Sequence, residues 1–220
     1  MIQRAEIVGI ELTRRCNMRC AHCMRGDPQS IDLQEQPLAA FLRQIRTIGL
    51  LVLSGGEPSL AAAQIKMVHS YLRKFEVDVF RVDIVTNAKV ISKAFTAALS
   101  LFREPCRCKL AYGGDLHEDV PAESIRKLKD ALGHQWEIKP QRTSRPLIKQ
   151  GRCLEGREVN LTSRFQVCNG MIYHRPLYLN ALGFVLPHTD LSYENQERNV
   201  LCRADDDILS AVETYKEEVT

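Results

Sequence analysis

The sequence predicts an α/β fold: a partial barrel of five or six parallel strands with helices outside, followed by a small β-hairpin and helix extension. Two observations predict it. Strand-like apolar runs alternate with helical patterns over roughly the first two thirds of the chain, the order that builds a parallel sheet through helical crossovers. The chain has 220 residues, short of the roughly 250 that an eight-stranded barrel uses. That length suits a single compact unit plus a small extension, a barrel over residues 1–150 and an extension over residues 151–220.

Each element has its own signal. Ile7 to Ile10, followed by Leu12, reads as a buried strand, and Leu50 to Leu53 as a second. Ser59 is placed to cap a helix whose apolar positions Ile65, Val68, Leu72 and Phe75 recur at three- and four-residue steps. A strand over Val79–Thr86 comes next, then a helical pattern from about Ser92 to Phe102 and a strand over Lys109–Tyr112. Pro121 opens a helix carrying Ile125, Leu128 and Leu132, and Trp136–Ile138 starts a further short strand. In the tail, Asn180-Ala-Leu-Gly183 reads as a hairpin turn in which Gly183 supplies a positive φ. Asp205, Asp206 and Asp207 suit the amino end of a last amphipathic helix that turns Ile208, Leu209, Val212 and Tyr215 inward.

Composition narrows the setting. Hydrophobic content is 45%, yet no apolar run approaches the roughly 20 residues needed to span a membrane, and the amino end lacks a secretory signal. A soluble, cytoplasmic protein without a membrane partner is expected. The net charge of +3 is modest. Basic residues cluster from Lys139 through Arg152 without interleaved aromatics, which reads as a solvated linker rather than a nucleic-acid surface. Eight cysteines in a chain with no signal peptide argue for metal ligation before disulfides.

The chemistry concentrates in two places. Cys16, Cys20 and Cys23 stand in a C-x3-C-x2-C spacing, in the loop that follows the first strand. Three thiolates leave one metal corner for water, substrate or a small-molecule ligand. A zinc knuckle, with His22 as fourth ligand, is the alternative. The second strand ends in Gly55-Gly56-Glu57-Pro58, where glycines admit close backbone approach and Glu57 offers acceptors to an ammonium group.

A cysteine triad, a following helix and then strand-Gly-Gly-Glu-Pro together resemble the radical S-adenosylmethionine (radical SAM) superfamily. The resemblance implies a 4Fe-4S cluster on Cys16, Cys20 and Cys23, with S-adenosylmethionine chelated to its open iron. Gly55, Gly56 and Glu57 would receive the methionine amino group. An electron from the cluster would then cleave the sulfonium, and the 5′-deoxyadenosyl radical would abstract hydrogen from substrate. His22 stands where the family usually has an aromatic residue. Thr86 and Asn87 match a Thr-Asn pair that closes the third strand, though Ala88 replaces the usual glycine. Asp115 and His117 resemble the segment after the fourth strand, with Asp115 a ribose contact. Cys106, Cys108, Tyr112 and His117 are further candidates for a group that acts on the substrate radical. A reducing partner such as flavodoxin or ferredoxin is implied.

The tail is similar to the SPASM or twitch extension, in which a β-hairpin and cysteines hold an auxiliary cluster. Here Cys153, Cys168 and Cys202 are present, while Pro187-His188-Thr189-Asp190 stands where a ligand cysteine is usual. The three cysteines could hold a second iron-sulfur cluster, with His188, or zinc, or the fold could persist without metal. This resemblance implies a peptide or protein substrate, or a small molecule. Two other readings remain at this point: an activase that installs a glycyl radical on a partner enzyme, and a zinc-stabilised, non-catalytic binding module.

Overall fold

A computed structural model of the protein describes residues 1–103, 106–113, 120–140, 147–158 and 165–218, with side chains as far as 215. Five strands, β1 (Arg4–Glu11), β2 (Thr47–Ser54), β3 (Asp78–Thr86), β4 (Arg107–Tyr112) and β5 (Trp136–Pro140), lie parallel and in sequence order. Between them run α1 (Glu35–Leu42), α2 (Ala62–Lys74), α3 (Lys93–Leu99) and α4 (Ala122–Leu132). The strands alternate as a sheet with one face under helices requires. Val8 and Ile10 of β1, Leu51 and Leu53 of β2, Val82 and Ile84 of β3 and Leu110 of β4 are buried in one core. The helices meet them with Leu38 and Phe41, Ile65, Val68 and Leu72, Phe95 and Leu99, and Leu128 and Leu132. This is the partial α/β barrel that the alternation predicts.

One cap departs from expectation. Ser59 lies inside a short 3-10 turn, Pro58–Leu60, and α2 starts only at Ala62. α2 has no side-chain cap, and the short turn before it is capped by the Glu57 carboxylate, which accepts from the Ser59 N–H at 2.8 Å. Ser59 is buried behind it. At α3 a serine cap does form, with Ser92 Oγ accepting from the Phe95 N–H.

The tail adds β6 (Gln166–Cys168), β7 (Met171–Leu179), β8 (Phe184–Leu186), α5 (Tyr193–Arg198), β9 (Cys202–Arg203) and α6 (Ile208–Glu218). The hairpin turn forms at Asn180–Gly183, with Gly183 at φ +85° and the Asn180 amide oxygen accepting from the N–H groups of Leu182 and Phe184. Its first strand joins the main sheet. β7 pairs in parallel with β1, with Ile7 opposite Pro176 and Ile10 opposite Leu179. An open β1 edge would leave a row of unpaired backbone groups beside the core, and β7 covers it. Gly9 of β1 makes room for this, because a Cβ there would collide with the Tyr178 ring. α6 packs along β6 and β9 with Ile208 and Val212 buried and Tyr215 edge-on to Phe165.

A buried polar network locks the tail onto the barrel. Glu11 and Arg14 are both fully buried, with Arg14 Nε donating to Glu11 Oε2 at 3.1 Å. Arg14 also donates to Gln29 Oε1 and Gln196 Oε1 and lies over the Tyr193 ring at 4.5 Å. Glu11 in turn accepts from the Ala181 N–H and from Gln196 Nε2. A buried ion pair adds little net stability over an apolar substitute, but removing one partner strands the other charge. Arg14→Met is expected to cost about 3–5 kcal/mol, and Gln196→Ala about 1–3 kcal/mol. Urea unfolding measures both, and a loss below about 1 kcal/mol for Arg14→Met would place the pair with exposed ones.

Candidate functional site

The carboxyl ends of β1, β2 and β3 converge on one cavity of about 890 Å³. The loop after β1 carries the cysteines and is zipped shut at its base. Arg14 N donates to Ile31 O, Gln29 N to Arg14 O and Leu33 N to Leu12 O, while Thr13 Oγ1 donates to Asp32 at 2.6 Å. Cys16, Cys20 and Cys23 are half-buried, free of disulfides, and line the cavity together with His22. Cys16 Sγ accepts from the Met18 N–H at 3.4 Å. Burial raises the Cys16 thiol pKa against that hydrogen bond, and Glu57, Cys23 and Cys20 push the same way. A metal centre would reverse this balance, since coordination holds thiols as thiolates.

Among the described residues no group of three or more His, Cys, Asp or Glu is arranged to hold a metal ion. A lone zinc draws its sulfurs to about 2.3 Å from one centre, whereas cluster thiolates bind separate irons. Three half-buried cysteines on the lining of one cavity are a donor set chemically suited to binding iron through thiolates.

Glu57 ties two strands together. Its carboxylate is 2% exposed and accepts from Ser59 N, Thr86 Oγ1 and Asn87 N at 2.8, 2.6 and 2.8 Å. The Gly-Gly-Glu backbone also bonds to the cysteine loop: Gly56 N donates to Thr13 O at 2.7 Å and Glu57 N to Arg15 O at 2.8 Å. A Cβ on Gly55 would lie 2.5 Å from Thr13 O, and one on Gly56 would fall against Arg15 O. The glycines thus admit the chain's own crossing loop on that side. Asn87 Nδ2 reaches Asn17 Oδ1 at 2.8 Å, joining the third strand to the residue after Cys16.

Sequence reasoning missed several residues that complete the site. Arg152 donates to Cys20 O and Asp27, and its N–H to Cys23 O. It is a strut under the cysteines, which corrects the linker reading of this part of the basic cluster. Gln150 holds Asp190 O, Ser192 N and Asn195. Arg25 donates to Leu191 O at 2.6 Å and to the Tyr178 hydroxyl at 3.2 Å, while the Tyr193 N–H donates to Arg25 O. Burial raises the Tyr178 and Tyr193 pKa values, so both phenols stay neutral. Arg14, Arg25 and Arg152 lie within or beyond a cysteine-rich loop whose local pattern advertises metal, and their partners are up to 182 residues away.

Other expected residues fall elsewhere. Asp115 and His117 lie outside the described residues. Cys106 and Cys108 sit at the amino end of β4, the end opposite the cavity, because parallel strands present only their carboxyl ends to it. Tyr112 is at the carboxyl end. Of the tail set, His188 lines the cavity. Cys153 is buried beside the cysteine loop, Cys168 is exposed on β6 opposite Met171 at the start of β7, and Cys202 packs into the core from β9. Burial, with Asp206, Asp207 and Asp205 nearby, pushes the Cys202 thiol up to about 12.

No family model and no curated protein matches the chain. Solved structures do match its fold. Native anSMEcpe with bound AdoMet and the Cp18Cys peptide aligns at TM-score 0.60 and 10% identity, over 96% of this chain and 80% of that one. The Kp18Cys peptide complex of the same protein aligns at 0.62 and 10%, over 95% and 80%. Streptococcus suis SuiB bound to precursor peptide SuiA aligns at 0.51 and 11%, over 94% of this chain and 63% of that one. The chain shares the fold of these proteins.

Gly56→Ala tests the crossing. Its methyl group would meet backbone rather than a side chain able to swing away, so a loss of about 1–3 kcal/mol is expected in chemical denaturation, with the cysteine loop displaced.

Proposed function

We propose that the chain is a radical SAM enzyme that acts on a peptide or protein. The observation that carries this reading is convergence: three motifs far apart in sequence, Cys16/Cys20/Cys23, Gly55-Gly56-Glu57 and Thr86-Asn87, line one cavity at the carboxyl ends of adjacent parallel strands. Ligand sites of open α/β folds lie at such ends.

In this reading Cys16, Cys20 and Cys23 hold a 4Fe-4S cluster, and Gly55 to Glu57, His22, Thr86, Asn87 and Asp115 hold S-adenosylmethionine. When bound, the pair supplies an electron that splits the sulfonium and a 5′-deoxyadenosyl group that takes a hydrogen atom from the substrate. The protein's own residues bind and orient. Glu57 can accept about four hydrogen bonds, and three are already made. One direction remains, enough to fix an ammonium group. Ile7, Leu50 and Val52 supply an apolar floor that keeps water from the reacting atoms. The peptide substrate is supported by the shared fold with anSMEcpe and SuiB, both seen with peptides. A flavodoxin or ferredoxin would supply the electron. No second metal centre is assigned to Cys153, Cys168 and Cys202, which stand on three separate parts of the fold.

The test is made on protein purified and reconstituted with iron and sulfide without oxygen. About four irons per chain are expected for one cluster, with 5′-deoxyadenosine formed from S-adenosylmethionine and dithionite. Cys20→Ala should abolish both. A Cys20→Ala protein that keeps its iron and its turnover would overturn the assignment.

A further inference from the structure

The cavity has a second wall of different character. Among the described residues that line it, four are arginines, Arg25, Arg152, Arg157 and Arg175, and two are carboxylates, Glu57 and Asp190. Glu57 is held by three donors of its own chain. Arg152 is held by Asp27 and the Cys20 carbonyl, and Arg25 by the Leu191 carbonyl and Tyr178. That leaves Arg157 and Arg175. The Asp190 carboxylate stands 3.9 Å from Arg157, beyond hydrogen-bond range. Arg175 has no carboxylate in ion-pair range among the described residues, and its Nη1 lies 3.1 Å from His188 Nδ1.

The backbone goes out of its way to put Arg175 there. β1 and β7 pair at Ala5–Ile172 and again at Ile7–Pro176, so Glu6 alone faces Tyr173, His174 and Arg175. His174 takes φ +64° to make the bulge, and its N–H is anchored by the Glu6 carboxylate at 3.0 Å. A left-handed residue other than glycine is uncommon, and bulges re-aim side chains. The result is a half-buried guanidinium on the cavity wall, beside a His188 that is 4% exposed. Burial lowers the Arg175 pKa, opposed by Tyr215 and Asp190, yet an arginine keeps its charge. A partly desolvated cation with an imidazole for its partner is an incomplete arrangement.

We propose that Arg175, flanked by Arg157 and His188, receives a carboxylate of the substrate, so that the enzyme prefers peptides that bear a free carboxylate. The inference rests on reading this cavity as the substrate chamber. Gly55 to Glu57, Thr86 and Asn87, proposed to hold S-adenosylmethionine, stand at the carboxyl ends of β2 and β3, whereas Arg175 stands on β7 across β1. From β7 to β3 there are three strand spacings of about 4.8 Å. The planar guanidinium fork matches a carboxylate in two parallel hydrogen bonds. Its source is a side chain or a peptide terminus.

The test uses the full chain, reconstituted without oxygen, and isothermal titration calorimetry with three alanine-based pentapeptides. One carries a central glutamate with both ends blocked, one a glutamine in its place, and one the glutamine with a free carboxyl terminus. A carboxylate-bearing peptide is expected to bind at least about 10-fold more tightly than the blocked glutamine peptide. Whichever of the two gains affinity identifies the source. Arg175→Gln should erase the preference. Equal binding of all three by the wild type, no binding of any up to millimolar concentration, or an Arg175→Gln protein that keeps the preference overturns the proposal. Should Arg175→Gln fail to fold, the wild-type comparison and Arg157→Gln, expected to weaken the same preference, decide. Formation of 5′-deoxyadenosine by the same wild-type preparation separates the two readings: turnover without discrimination sinks only the carboxylate site, and discrimination without turnover sinks only the radical chemistry.

Discussion

Glu11 and Arg14 hold their charges fully out of solvent at the carboxyl end of the first strand, and the parts of the chain that build the site hang from that pair. Arg14 opens the cysteine loop and clamps its returning limb through Gln29. Glu11 anchors the hairpin turn through the Ala181 N–H. Gln196, from α5, donates to one partner and accepts from the other. Two charges removed from water cost several kcal/mol each, an amount that their mutual attraction offsets only with good geometry and satisfied neighbours. The network therefore specifies more than it stabilises: loop, hairpin and helix must all arrive in register before the charges are satisfied.

Glu57 applies the same logic one strand over. Its carboxylate joins the end of β2 to the end of β3, while the glycines before it let the cysteine loop cross within hydrogen-bond range of the sheet. Asn17 and Asn87 close the triangle. The cysteines are thus held by three strands and the tail, although no regular element contains them. A loop so constrained can present sulfurs to a bulky ligand without spending that ligand's binding energy on ordering the chain.

The barrel was legible because its signal is local and periodic. Ile65, Val68 and Leu72 announce α2, and the alternation in β3 needs no partner to be seen. The three motifs were legible for a similar reason: each is contiguous. What escaped depends on distance in sequence. That Leu177–Leu179 would lie beside Val8–Ile10 is a choice among sheet edges that no window of sequence contains. The same holds for Gln196 and Arg14. Ser59 illustrates a different failure: a serine before an apolar helical pattern looks like a cap, but a 3-10 turn capped by Glu57 occupies Pro58–Leu60, and α2 starts at Ala62 with no side-chain cap. Gly55 and Gly56 were read as making room for a ligand, and the backbone of Thr13 and Arg15 occupies that side.

The two flanks of the sheet are finished differently. On the β1 flank, β7, β8 and β9 extend the sheet, and His188 and Tyr193 of the tail join the cavity lining. On the other flank β5 is the last strand among the described residues, blunted by a Lys139–Glu137 ion pair and ended at Pro140. Charge and proline on an edge discourage further strand pairing. Two strands in from that edge, the inner face of β3 carries Val85, 41% exposed and adjacent to Thr86, with the Arg81–Asp83 pair below it. An exposed β-branched residue one position from the Glu57 contact is poor economy for a closed barrel and sensible for an open one. Val85 lines the same cavity as the cysteines, so the inner face of β3 stays partly open to solvent beside the site.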